Sequence, residues 1–221
     1  MKSETQTETV VQSDQAGVHS QLSDVVARHL HRPWAKPIPR HTQDIAEPLI
    51  EQLRCCGRPI VLDSFCGTGY STGRLAAQYP QAYVVGIDKS AHRLSKHQPT
   101  TAQNYQLIRA DCYVLWRLLA EAGIDLIAHH MLYPNPWPKA AHLKRRIHGH
   151  PSFPWLKVLG GRIEVRSNWP IYIEEFAAAA KLIGLIGHVE ALEVADAMTL
   201  FEQKYCDRGQ ALWRFTGNFS D

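Results

Sequence analysis

The sequence predicts an α/β fold built on a doubly wound, mostly parallel sheet. Three observations carry that expectation. Short apolar runs recur between residues 59 and 133, stretches of about ten residues with helical spacing separate them, and Asp63, Asp88 and Asp111 fall where the first three runs end. Parallel neighbours need a crossover connection, which the intervening helices supply.

Taken in order, residues 1–27 read as a flexible tail, in which Glu4, Glu8 and Asp14 argue against an acid-poor transit peptide. Residues 28–221 read as one domain that opens with a basic arm, 28–41. Arg28, Arg32, Lys36 and Arg40 imitate a helical stripe there, but Pro33, Pro37 and Pro39 forbid a regular helix, which leaves an extended arm. From Asp44 to Leu53 the apolar residues Ile45, Ala46, Leu49, Ile50 and Leu53 recur at helical spacing. Strands are expected over 59–65, 83–87, 105–110 and 124–133, with helices over 72–79, 90–97 and 113–122 between them. Gly160-Gly161 then leads to a strand over 162–166 and a helix over 171–185. Two more strand candidates, 189–194 and 211–216, enclose the segment TLFEQKY.

With 221 residues, 45% of them hydrophobic and 20% charged, the chain can bury one sizeable core. No apolar run approaches the roughly 18 residues of a membrane span. Five cysteines without a CxxC pair suit neither a disulfide framework nor a zinc site, and a reducing, cytoplasmic setting follows as the expectation. No metal and no membrane partner is expected.

Asp63-Ser64-Phe65-Cys66-Gly67-Thr68-Gly69 stands where the first strand ends, the edge at which such sheets bind ligands. The next glycine is Gly73, so the spacing is GxGxxxG rather than the GxGxxG that readies a helix for a pyrophosphate. Nicotinamide and flavin dinucleotides are disfavoured. Asp88 is placed to accept from ribose hydroxyls, Asp63 to counter a cationic amino acid moiety and Asp111 to meet an adenine amino group. Any one of these aspartates could equally be a turn former or helix N-cap. Together they suggest a nucleoside with positive charge and no phosphates, which is S-adenosylmethionine.

The segment Tyr133-Pro134-Asn135-Pro136-Trp137-Pro138-Lys139, with Lys144-Arg145-Arg146 behind it, projects an amide, an indole and an ammonium beside that cofactor. Such groups can hold a flat heterocycle by hydrogen bonds and stacking. A basic triplet is often just a solvated face, but its place beside a strand-end loop favours phosphate contact.

On these residues the chain resembles the bacterial tRNA (guanine-N7-)-methyltransferases, which modify a guanosine in the tRNA variable loop. YPNPWPKAAHLKRRIHGHPSF is similar to that family's FPDPWPKxRHxKRR, RSNWPIYIEEF to its TDWxxYAE, and TLFEQKYCDRG to its TxFExRGxxxG. The resemblance implies a Rossmann-like methyltransferase sheet with an antiparallel edge strand, and a single-chain enzyme acting on tRNA or structured RNA. It implies cofactor contacts at Asp63, Gly67, Gly69, Asp88, Asp111 and Thr199. Substrate contacts fall on Lys139, Arg145, Arg146 and Asn168, and the catalytic positions on Asn135 and Glu202.

Two departures stand out. The family's PDPW aspartate is Asn135 here, and its TDW aspartate is Asn168. An amide accepts hydrogen bonds without net charge, and charge-assisted bonds are roughly twice as strong, so Asn135 predicts weaker guanine selection or a different base. Two other readings stay open: a methyltransferase acting on another base or an amine, since Asn135-Pro136-Trp137 approaches a [DN]PP[YFW] loop, and an RNA-binding relative without the chemistry.

The net charge of +3 conceals an uneven distribution. Residues 28–41 carry +4 and residues 139–157 carry +5, leaving −6 for the rest. Two basic segments on an acidic body suit phosphate binding at one face.

Overall fold

The protein is described by a computed structural model over residues 11–32 and 34–219. Its strands are β1 (Ile60–Ser64), β2 (Tyr83–Asp88), β3 (Tyr105–Arg109), β4 (Ala128–Leu132), β5 (Arg162–Ser167), β6 (Leu185–Ala191) and β7 (Trp213–Phe219). They form one sheet in the order β3-β2-β1-β4-β5-β7-β6. From β3 to β5 every pairing is parallel, whereas β7 runs antiparallel to both β5 and the outermost β6. The antiparallel character is thus confined to one side of the sheet, where β7 is flanked and β6 is the edge.

β1 and β4 are buried throughout, as strands covered on both faces must be. Alternation divides their side chains between two cores: Ile60 and Leu62 join the larger cluster, while Val61 joins Val84, Ala128 and Leu132 in the smaller one. Helices α1 (Leu22–His31), α2 (Arg40–Cys55), α5 (Cys112–Glu121), α6 (Trp155–Leu159) and α7 (Pro170–Leu182) contribute to the larger cluster. α3 (Tyr70–Gln78) covers the smaller one through Leu75 and Ala76. The short α4 (Ala91–Leu94) follows β2, and α8 (Leu200–Asp207) lies between β6 and β7.

The N-terminal expectation needs correction. Residues 22–27 are not tail but the greater part of α1, whose Leu22, Val25 and Val26 are buried in the main core. The reason is an i, i+3, i+4 apolar stripe that packs against α7, its next position on that face, His29, bonding Gly149 O at 3.2 Å. The arm is likewise only partly extended, for Arg28 lies within α1 and Arg40 opens α2; of the described residues between the helices, 32 and 34–39 run free of regular structure. Residues 1–10 of the expected tail, Pro33 of the arm and residues 220–221 lie outside the described residues. Smaller shifts occur at Gly184, whose φ of +79° ends α7 and releases Leu185 into β6 earlier than expected.

Among the described residues no helix is long and apolar enough to cross a membrane.

Candidate active site

The strand order reverses between β1 and β4, and a crevice at such a switch point is where open α/β sheets bind ligands. A cavity of about 810 Å³ opens there. Gly67, Asp88 and Asp111 line it from one half of the sheet, and Tyr133, Asn135 and Trp137 from the loop after β4.

Gly67 takes φ +61°, and a Cβ at this position would meet nothing within 4 Å, so the bare backbone faces open space. Its N–H donates to Asp88 Oδ2 at 3.0 Å, which pins the loop to the end of β2. Asp88 Oδ1 accepts from Ser90 N at 2.8 Å and pairs with Arg93 at 3.0 Å. Asp111 caps α5 by accepting from Tyr113 N with Oδ1 at 2.9 Å, which leaves its second oxygen for a ligand. Phe65, Tyr113 and His150 supply aromatic wall, with His150 stacked on Tyr113 at 3.8 Å between ring centres.

Asp63 does not face this cavity. It is fully buried beneath the loop, where Oδ2 accepts from Ser71 Oγ and Thr72 Oγ1, each at 2.7 Å. Burial, against those two hydrogen bonds, pushes its carboxyl up to about 6. Oδ2 anchors the first turn of α3, while Oδ1 is buried with no hydrogen-bond partner among the described residues. Gly69, too, lies off the cavity wall; at φ +75° it caps α3, and a Cβ there would collide with Leu107.

Three non-glycine residues have positive φ among the described residues: Phe65 (64°), Tyr133 (55°) and Trp137 (48°). All three line the cavity. Bulky residues in this region cost on the order of 1–3 kcal/mol each and persist only where their surroundings hold them. Phe65 N donates to Cys112 Sγ at 3.3 Å, Tyr133 Oη donates to Glu202 at 2.6 Å, and Trp137 N donates to Asn135 Oδ1 at 3.2 Å. Asn135 is therefore an exposed cavity residue whose carbonyl already fixes the indole's backbone.

Glu202 corrects a second expectation. It is fully buried and absent from the cavity wall. One carboxylate oxygen accepts from Tyr133 and from Arg166 at 2.8 Å; the other accepts from Met198 N at 2.5 Å. Arg166 also binds Glu164 at 2.6 Å, with His130 beside that acid at 3.8 Å. Glu202 is thus the strut that ties α8 to β5 and to the loop after β4, with both carboxylate oxygens engaged by protein groups. Thr199 caps α8 by accepting from Glu202 N at 2.9 Å and does line the cavity.

Arg146 is the third correction. It is completely buried, paired with Glu175 at 2.5 Å and donating to Trp137 O and Lys139 O at 3.1 Å, so it holds the loop rather than RNA. Burial alone would raise the Glu175 carboxyl, yet hydrogen bonds from His148, Arg146 and Gln15 hold it down at about 2. The segment before α1 straps this cluster from outside: Ser13 Oγ donates to Pro138 O at 2.6 Å, Asp14 accepts from Ala140 N at 2.9 Å, and His19 N donates to Glu175 at 2.9 Å. Gln15 bonds both Arg146 and Glu175.

Arg145, in contrast, is exposed and lines the cavity with its guanidinium 4.9 Å from the Trp137 ring centre. Lys139 is exposed but off the wall. Asn168 is half-buried and donates to Gln210 Oε1 at 3.0 Å, away from the cavity. The structure therefore gathers Gly67, Asp88, Asp111, Thr199, Asn135 and Arg145 around one space. It also adds residues that sequence reasoning missed: Lys89, Arg93 and Lys96 after β2, Lys204 on α8, and the aromatic wall. The signal for the first three was their i, i+4, i+7 spacing directly behind Asp88.

The fold and the site define the class first: a switch-point crevice on a doubly wound sheet with an antiparallel pair of strands at one side. Among solved structures, a 16S rRNA methyltransferase, KamB, aligns with TM-score 0.57 at 20% identity, over 79% of this chain and 94% of the other. A 16S rRNA (adenine(1408)-N(1))-methyltransferase from Catenulisporales acidiphilia, crystallised with cosubstrate SAM, aligns with TM-score 0.56 at 15% identity, over 79% and 91%. The family model Methyltransf_4, described as "Putative methyltransferase", matches residues 57–215, and the chain belongs to that methyltransferase family. Its curated relatives include tRNA (guanine-N(7)-)-methyltransferases of Streptococcus mutans, 29% identical over 73% of this chain and 82% of the relative, and of Bacillus licheniformis, 25% identical over 85% and 96%.

Proposed function

We propose that this methyltransferase uses S-adenosylmethionine to methylate guanine N7 in tRNA. The observation that carries the reading is that the nucleoside-binding edge of the sheet and the Pro134–Trp137 loop open into one cavity. The residues fit such a donor: an open glycine backbone at Gly67, acids at Asp88 and Asp111, and the aromatic walls of Phe65 and Tyr113. When bound, S-adenosylmethionine supplies a methyl group activated on a sulfonium. Gly67 would let the donor approach the backbone, Asp88 would face its ribose, Asp111 would offer its second oxygen to the adenine amino group, and Thr199 would form part of the wall.

Guanine N7 carries an in-plane lone pair, so the chain need supply no general base; its work is to hold the base in line. Both cavity carboxylates, Asp88 and Asp111, stand on the donor side. On the base side Asn135 Oδ1 accepts from Trp137 N, and its NH₂ is left to donate. That donor suits an acceptor on the base such as guanine O6, where an aspartate would repel. The indole of Trp137, with Arg145 on its face, offers a stacking surface, and Lys144 and Arg145 offer phosphate contacts. Lys139 stands exposed beside this loop as a further RNA contact.

A single-chain, cytoplasmic enzyme is the setting this reading implies. The test is methyl transfer to unmodified tRNA transcripts, followed by identification of the methylated nucleoside. Formation of 7-methylguanosine is the expected result; transfer to another nucleoside, or none despite saturable donor binding, overturns the assignment.

A further inference from the structure

Lys89, Arg93 and Lys96 form a basic lip that the methyl-transfer reading leaves without a task. All three are exposed and line the cavity. They follow β2, whereas Lys144 and Arg145 follow β4, and in the sheet order β2 and β4 stand on opposite sides of β1. The two cationic groups therefore flank the mouth from its two sides.

The lip is ordered before any ligand arrives. Backbone turns continue from α4 through His97, as Lys96 N bonds Arg93 O and His97 N bonds Leu94 O at 3.0 Å; Arg93 and Lys96 stand on these turns, and Lys89, just before the extended N-cap Ser90, joins them at the cavity wall. His97, close behind, is clamped to Thr68 O at 2.9 Å and to Tyr105 Oη at 2.8 Å. Arg93 leans on Asp88, while neither Lys89 nor Lys96 has a carboxylate partner among the described residues. Asp88 offsets Arg93, and the charges of Lys89 and Lys96 are left for an external anion to neutralise. Between the two lips the mouth presents Tyr70, Leu200 and Phe201, 38%, 56% and 49% exposed. Aromatic surface between tracks of cations is the equipment that stacks bases and follows the backbone of a single strand.

We infer that Lys89 and Lys96 bind backbone phosphates on the far side of the target nucleotide from Lys144 and Arg145. The RNA then crosses the mouth as a locally single-stranded segment with Tyr70 and Phe201 against its bases. This rests on the proposed RNA substrate and adds how that substrate is presented.

The test compares the full chain with a Lys89→Ala/Lys96→Ala variant. The measurements are tRNA binding against salt concentration, steady-state methylation, and S-adenosylmethionine binding by calorimetry. Loss of two phosphate contacts on a single strand should lower the slope of log K against log salt by about 1.4 and raise KM for tRNA about tenfold or more, with donor affinity and melting temperature unchanged. An unchanged tRNA slope overturns the inference, as does a parallel loss of donor affinity, which would place the lip in the donor site. Should the parent methylate another nucleoside while the variant still shows the reduced slope, the guanine assignment fails and the lip stands.

Discussion

Glu202 illustrates how a side chain's neighbours decide its task. Sequence resemblance puts a carboxylate within reach of the base, but Tyr133, Arg166 and Met198 N consume both of its oxygens. The pairing of Arg166 on β5 with Glu202 on α8, 36 residues on, is one that no spacing rule reveals. Glu202→Ala should destabilise the fold by about 1–3 kcal/mol, because Tyr133 Oη and Met198 N would lose a buried acceptor and Arg166 would keep only Glu164. Chemical denaturation checks the size. A fall in kcat with stability unmoved would instead show that Glu202 touches the reacting base.

Titration of Glu175 belongs to the same scale. Its native carboxyl at about 2 lies below the ordinary 4.5, so between those values the unfolded chain binds the proton and the native one does not. Stability is therefore fully present above pH 4.5 and drains away as pH falls towards 2. Asp63, raised to about 6 from 3.8, works in the opposite sense and costs stability as pH rises through that window. Unfolding free energy followed down the acid limb should show a shallower slope in Glu175→Gln than in the parent. An identical slope would mean that other carboxylates govern acid unfolding.

At the scale of elements, the first three parallel strands were legible because each combines a short apolar run with a strand-end acid and a following helix. α1 was not, since His29 and His31 and the charges around Leu22, Val25 and Val26 mask a stripe that only α7 completes. The strap over residues 13–19 was less legible still: its bonds to Pro138, Ala140 and Glu175 join positions whose proximity follows from no local pattern. Asp14 is its sharpest point, capping the turn that begins at Ala140. Asp14→Ala should lower kcat/KM for tRNA several-fold through KM while leaving donor affinity intact, and Asp14→Asn, which keeps the acceptor, should restore most of it. Loss of donor binding in the alanine variant would contradict this division.

For the whole molecule, the uneven charge was visible in composition but its assembly was not. Arg28, Arg32, Lys36 and Arg40 are exposed on a segment whose His29 meets Gly149 and whose Trp34 packs on His150 at 5.3 Å, so the first basic segment lies beside the second. Arithmetic that assigned the rest of the chain to an acidic body also hid the cations after Asp88. We expect tRNA affinity to fall steeply with added salt while donor affinity stays level, and Arg32→Ala/Lys36→Ala to shorten that slope further. Filter binding at several ionic strengths measures both, and a flat response would deny these charges a role in RNA binding.

The strap also fixes an order of events in time. Ser13 and Pro138 are 125 residues apart, and Gln15 and Glu175 are 160 apart, so the first described residues to be synthesised wait for partners made much later. Contacts of such long sequence separation form late, because loop closure must be met before they repay it. The loop carrying Trp137 is thus locked only after α7 has left the ribosome. A nascent chain that has already built β1 to β4 still lacks a finished site, and it gains one only when its own beginning folds back over it.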